Sequence, residues 1–367
     1  MRQYHPRAGE PAAQKPWGDF EYVSVPLQEP NELLPDSSRA LGSPRWYFGN
    51  CSRAQLTVLI QSLDVNAEYR QAMLVPSRWQ QSGSGFYVTP PMEMILRMSP
   101  TTRSRVYALL GHYPENSAQC NPFRFPLNGF NQSFADSGLG ATQLEILHSL
   151  LYTNARTLCF CDGAILQRLF STNDFKSLVQ TLYGENTFLM KLRVRPDTDV
   201  EAIVKYWAKG GRAAAMRPLL EALTKVPGGG LLNVSYLLPP FARLRLYTYA
   251  KPATEPTATR QNCFWTALNF FNEKPDPQFV SAERARGVLE ADYFKTEQSA
   301  IYGDVIALVD AEDKVVHMCV YLADDVVFTK NGIDDMQPWV LMKVADMMRY
   351  YVAWTPVQMR VYRSRKS

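Results

Sequence analysis

The sequence predicts an α+β protein in two parts, a larger, mostly helical mixed domain followed by a small C-terminal unit in which one helix precedes several antiparallel strands. Three observations carry that prediction. Apolar residues recur at helical spacing in many segments between Ser52 and Lys225. After Gln261 comes one short helical run, then strand-like runs from Tyr302 onward. Between the two lies Lys251 to Thr259, rich in Pro and Thr and without a helix or strand period, which reads as a linker.

Taken in order, residues 1–45 are Pro-rich and aperiodic and read as an extended arm. Ser52 is a good N-cap for a helix to Leu63. Further helices are predicted over Pro91 to Met98, Thr101 to Leu110, Gly138 to Leu151, Ala164 to Phe170, Asp174 to Tyr183, Asp199 to Ala208 and Ala213 to Lys225. Arg156 to Cys161 and Thr187 to Val194 read as strands, and Phe241 to Tyr249 alternates as a strand should. The expected division is therefore an arm 1–45, a domain 46–250, a linker 251–259 and a unit 260–367.

Composition narrows the function classes. A hydrophobic share of 46% with 20% charged residues suits packed cores. A formal charge of +4 over 367 residues gives no footprint for nucleic acid, and no apolar run is long enough to span a bilayer. The polar opening lacks a secretory core. Its loose Pro- and Ala-rich character resembles the stretch just after a removed leader, which points to an exported protein, with a cytoplasmic one as the alternative. Six cysteines are too few for a disulfide framework, although Cys51 and Cys120 could pair outside the cell. Four histidines and no Cys-x-x-Cys pair argue against zinc. The Gly-rich pieces lack the Lys-Ser/Thr of a phosphate loop and read as turns, so no cofactor is called for.

Chemistry concentrates in the last hundred residues. Asn262 is a favoured N-cap and places Cys263 in the first helical turn, where unpaired backbone N–H groups favour a thiolate of lowered pKa. Phe264, Ala267, Leu268 and Phe271 give that helix a buried face. In the run Val315 to Leu322, His317 shares a face with Cys319 and Tyr321. Turned to the helix start, that face would let His317 take the thiol proton and return it to a leaving amine. The return strand after Ala323-Asp324-Asp325 supplies two orienting candidates of equal parity. Asn331 is preferred for its side-chain carbonyl, whereas Thr329 fits better by residue counting. The Cys263 backbone N–H would form part of an oxyanion hole, with Gln261 as a candidate side-chain donor. Alone, a buried cysteine or a strand histidine is ordinary core; their order on these elements makes the pair a candidate site.

The series Asn262-Cys263, Gly303-Asp304, His317 with Tyr321-Leu322, and a return strand resembles NlpC-type cysteine peptidases, which share a papain-like core. The resemblance covers residues 255–363. It implies a helix packed on a small antiparallel sheet and a hydrolase cutting amide bonds in short peptides, including bacterial cell-wall (peptidoglycan-derived) peptides. Bulky Phe264 and Trp265 replace the small residues usual after the cysteine, and Thr329 stands where the family's second histidine falls. An acyltransferase using the same thioester and a catalytically silent scaffold remain as alternatives. The domain before the linker would select substrate, cover the cleft or bind a protein partner.

Overall fold

A computed structural model of the chain describes residues 15–27, 44–154, 157–209, 211–250, 261–332, 337–352 and 356–366. The fold is mixed α+β, with small antiparallel sheets throughout. Contacts divide the chain into a continuous unit, Pro30–Tyr183, and a discontinuous one, Met1–Glu29 with Gly184–Ser367. The division thus falls after Tyr183, not near residue 250. The proposed linker lies outside the described residues.

Part of the expected arm is a strand. Asp19–Leu27 pairs antiparallel with Glu185–Val194 along its whole length. Alternation hardly marks it, because most of its side chains remain solvent-exposed. Its position is set by a ladder to residues far along the chain and by Phe20, whose ring meets Trp207 edge-on at 6.1 Å.

The continuous unit combines helices such as Arg53–Ser62, Pro100–Leu110 and Thr172–Tyr183 with two three-stranded sheets. The Ser52 side chain and the Gln55 side chain cap each other's backbone N–H, so the helix begins where its sequence says it should. Cys51 and Cys120 are free thiols, each directed at a backbone carbonyl.

The discontinuous unit is built on a six-stranded antiparallel sheet. Its order is Tyr293–Thr296, Gln358–Ser364, Val305–Val309, Val315–Ala323, Val326–Lys330, Trp339–Lys343. Val305–Val309 and Val326–Lys330 are buried at every position, as expected of strands covered on both faces. One face carries Met318, Val320, Leu322, Phe328 and Trp339 against Trp265, Leu268, Phe270 and Trp207. The other carries Ile306, Leu308, Cys319, Tyr321, Val327 and Val340 against Met347 and Tyr351 of the helix Val344–Val352. The Thr187 hydroxyl donates to Leu341 O at 2.9 Å and accepts from Leu341 N at 3.2 Å, so it ties Glu185–Val194 to the edge strand Trp339–Lys343. Among the described residues no helix is long and apolar enough to cross a membrane.

The predicted strand Phe241 to Tyr249 is instead a helix, Pro240–Arg245, followed by a turn. Pro240 occupies its first turn, where a missing N–H costs nothing. One turn on, the Arg245 guanidinium lies 4.0 Å from the Phe241 ring centroid and donates to Phe241 O. Alternating Arg and apolar residues here serve a helix with a stacked pair, not a pleat.

Gly229 is the tightest glycine of this unit. Its φ is +80°, and a Cβ there would sit 2.0 Å from Val194 O. Gly229→Ala is expected to cost at least about 2 kcal/mol, seen as a lower urea midpoint, because neither the left-handed backbone nor the carbonyl can yield cheaply. An unchanged midpoint would show that the 226–230 turn adapts freely.

Candidate active site

The helix carrying the cysteine is short, Cys263–Leu268, and is fixed at its start by three side chains. Asn262 accepts from Trp265 N at 3.0 Å and donates to Val280 O at 2.8 Å. Thr266 donates to Asn262 O at 2.8 Å, and Trp339 Nε1 donates to Thr266 Oγ1 at 2.9 Å. The predicted N-cap is present. The helix ends one turn earlier than its apolar spacing suggests, because Asn269 turns back to accept from Asp276 N at 2.7 Å; Phe271 is left 38% exposed.

The body of this helix does not lie on the His317 face. Trp265, Ala267 and Leu268 pack with Met318, Val320 and Leu322, the opposite face of the same strand. The reason is volume: the indole and the leucine need a broad apolar surface, and the His317 face is already filled by Met347 and Tyr351. The sulfur itself lies at a parting in the sheet. The ladder between Val315–Ala323 and Val326–Lys330 holds pairs only from Val320/Phe328 onward. Short of that pair, the Met318 backbone N–H faces the Cys263 thiol, as do those of Phe264 and Cys263 itself. The thiol also bears electrostatically on Cys319 and Tyr351, residues of the His317 face.

His317 is wholly buried with both ring nitrogens engaged. Nε2 meets Thr329 Oγ1 at 3.0 Å and Nδ1 meets the Tyr351 hydroxyl at 2.8 Å. The Tyr351 ring also stacks on the imidazole, centroids 4.3 Å apart and planes 23° apart. Thr329 Oγ1 donates onward to Asn331 Oδ1 at 3.4 Å. Thr329 therefore holds the imidazole, and Asn331, the preferred candidate, stands behind it. Continued from Val320/Phe328, the register sets Thr329 opposite Cys319 and Asn331 opposite His317, so the imidazole reaches diagonally along the strand to the hydroxyl. No hydrogen bond joins Cys263 Sγ to either ring nitrogen among the described contacts.

Electrostatics correct a second expectation. Burial pushes the Cys263 thiol above its ordinary value, outweighing the three backbone N–H groups and the Lys330 ammonium, all of which favour the thiolate. From sequence, the helix start is expected to lower it. A six-residue helix has too small a dipole to offset burial at 6% exposure. Burial also depresses the His317 imidazole to about 3, so it is neutral at physiological pH.

Gln261 is half-buried, and the donors at the thiol are backbone amides rather than its side chain. Asp304 is structural: fully buried, it accepts from Ile301 N at 3.0 Å and from Arg363 Nη2 at 2.8 Å, which anchors the entry to Val305–Val309. Two site residues escape a reading of the sequence. Lys330 is fully buried, with Nζ directed at Gly332 O. Tyr351 comes from a helix beyond the return strand, and its sequence neighbours show only an amphipathic pattern. Among the described residues no three His, Cys, Asp or Glu side chains gather as a metal site.

The fold and geometry define an α+β unit with a buried helix-start cysteine facing backbone N–H groups at a parting in the sheet, and a buried histidine held by hydroxyls on the same sheet. No family model, curated protein or solved structure matches the chain.

Proposed function

We propose that the discontinuous unit is a papain-like cysteine hydrolase of amide bonds, seen in a closed resting state, with Cys263 as nucleophile, His317 as base and Thr329 as the group that orients the imidazole. One observation carries the reading. The sulfur sits among backbone N–H groups at the parting of two strands, and the histidine on the first of them is held through Nε2 by a hydroxyl on the second. That leaves Nδ1 as the nitrogen with a proton-accepting part to play.

In the reaction, Sγ adds to a peptide carbonyl while its proton passes to His317 Nδ1. Backbone N–H groups at the helix start hold the oxyanion. The C–N bond breaks, the amine departs with the proton from His317, and a thioester remains on Cys263. Water, deprotonated by the same nitrogen, then releases the acid and restores the thiol. Peptide substrates, cell-wall peptides among them, are implied by the NlpC-type resemblance of residues 255–363.

A second reading, a catalytically silent scaffold, draws on the saturated imidazole and the raised thiol pKa. p-Nitrophenyl acetate separates the two. The hydrolase is expected to carry acetyl on Cys263 alone, by peptide mass, and to release it. Cys263→Ala should take up none, and His317→Ala should react at least about 100-fold more slowly, the usual worth of a general base. Acetylation spread over several thiols, or a rate indifferent to His317, would leave the scaffold. Faster release to added amine than to water would mark the acyltransferase variant.

A further inference from the structure

We propose that Tyr351 is a latch that keeps this site shut, its phenol occupying the imidazole nitrogen that would receive the Cys263 proton; the proposal rests on the hydrolase reading and adds its regulation.

The geometry assigns the protons. Burial raises the Tyr351 phenol well above its ordinary value, so its hydroxyl remains protonated and can donate. A neutral imidazole has one donor and one acceptor nitrogen. With Tyr351 donating to Nδ1 at 2.8 Å, Nε2–H donates to Thr329 Oγ1 at 3.0 Å, and Thr329 donates to Asn331 Oδ1 at 3.4 Å. Every polar group in that chain is satisfied, and the lone pair the thiol needs is taken. The two ring centroids lie 4.3 Å apart with planes 23° apart, so the phenol packs along one side of the imidazole.

The helix that delivers the phenol is built to release it. Of the residues in Val344–Val352 only Met347 and Tyr351 are buried, one turn apart on one face. Asp346 and Arg349 pair on the exposed side. The first turn is tied down separately, by Val344 N donating to Asp325 O at 2.8 Å. Withdrawing the last turn therefore frees Nδ1 without unseating the helix, and a peptide entering over the parting takes the place of the ring.

The test uses iodoacetamide at neutral pH on the full chain, with alkylation of Cys263 tracked by peptide mass. Tyr351→Phe keeps the stacked ring and removes one buried hydrogen bond, so labelling should quicken roughly threefold to tenfold. Tyr351→Ala removes the ring too and should quicken it further. Met347→Ala loosens the same face with Tyr351 intact and should also accelerate labelling, which covers the case in which Tyr351→Ala fails to fold. The gain must vanish when His317→Ala is added. Rates equal to the parent protein in all three variants would overturn the latch. A gain that survives loss of His317 would do so too, since it reports only exposure. The hydrolase reading fails separately: a quickened, His317-dependent thiol that never takes up acetyl from p-nitrophenyl acetate keeps the latch and refutes the hydrolase.

Discussion

His317 is expected to make the unit that holds it lose stability in acid, by an amount that a non-titrating variant isolates. The imidazole titrates near 3 in the fold, because of burial, and near 6.5 when exposed. Below pH 6.5 the unfolded chain therefore binds a proton that the native state refuses. A depressed pKa gives stability that is complete above the unfolded value and is lost as pH falls toward the folded one. Each pH unit costs about 1.4 kcal/mol, so the loss is about 3 kcal/mol at pH 4 and approaches about 5 kcal/mol near pH 3. Glu185, pushed by burial from 4.5 to about 7, acts with the opposite sign: its native form holds the extra proton, so it adds stability as pH falls through that window. The comparison that isolates His317 is with His317→Gln, whose amide can accept from Tyr351 and donate to Thr329 without titrating. Urea unfolding monitored by tryptophan fluorescence should show the parent protein losing about 3 kcal/mol more than the variant between pH 7 and pH 4. Parallel losses would mean that the imidazole is hydrated in the native state.

The same depressed value bears on function. A base that titrates near 3 is neutral and ready to accept, but too weak to activate a thiol whose own pKa burial has raised. In the proposed reaction, opening of the site would bring water to both groups and move the two values toward each other.

The largest single-residue effect in the other unit is expected at Arg103. This arginine is 0% exposed, inside the helix Pro100–Leu110, and its Nε lies 3.4 Å from Asp162 Oδ2. It also donates to Ser149 O at 2.7 Å and to Ile95 O. Asp162 accepts from the Tyr107 hydroxyl at 2.6 Å, and burial raises its carboxyl to about 6 despite both partners. Arg103→Met fills most of the volume but strands a buried carboxylate and two carbonyls, a loss of about 3–5 kcal/mol at neutral pH. Asp162 in the variant has to protonate to remain inside, so the deficit should shrink in mild acid. Adding Asp162→Asn should recover part of it at pH 7. Deficits that are the same at pH 5 and pH 8, with no recovery in the double variant, would show that packing and not charge is what Arg103 provides.

How much of this was legible in the sequence varies by residue. The N-caps at Asn262 and Ser52 and most helices of the continuous unit are local devices, written within a few residues of where they act. The strand Asp19–Leu27 was not, because its partner Glu185–Val194 lies far along the chain and its own side chains are mostly exposed. Pro240–Arg245 alternates like a strand, and only the proline in its first turn argued otherwise.

For the site, parity along Val315–Ala323 correctly grouped His317, Cys319 and Tyr321 on one face. It could not say which neighbour covers that face. Volume decided: the cysteine helix carries an indole and a leucine that needed the other side, and Tyr351 took the place beside the imidazole. By itself the sequence offered the candidates for nucleophile, base and orienting group, since those choices depend on chemical type and strand period. Only the tertiary structure decided that the thiol is raised rather than lowered, that Thr329 and not Asn331 holds the ring, and that a tyrosine stacks on the imidazole and bonds its Nδ1. Burial and contact across the sheet set all three, and neither is a property of any short stretch of chain.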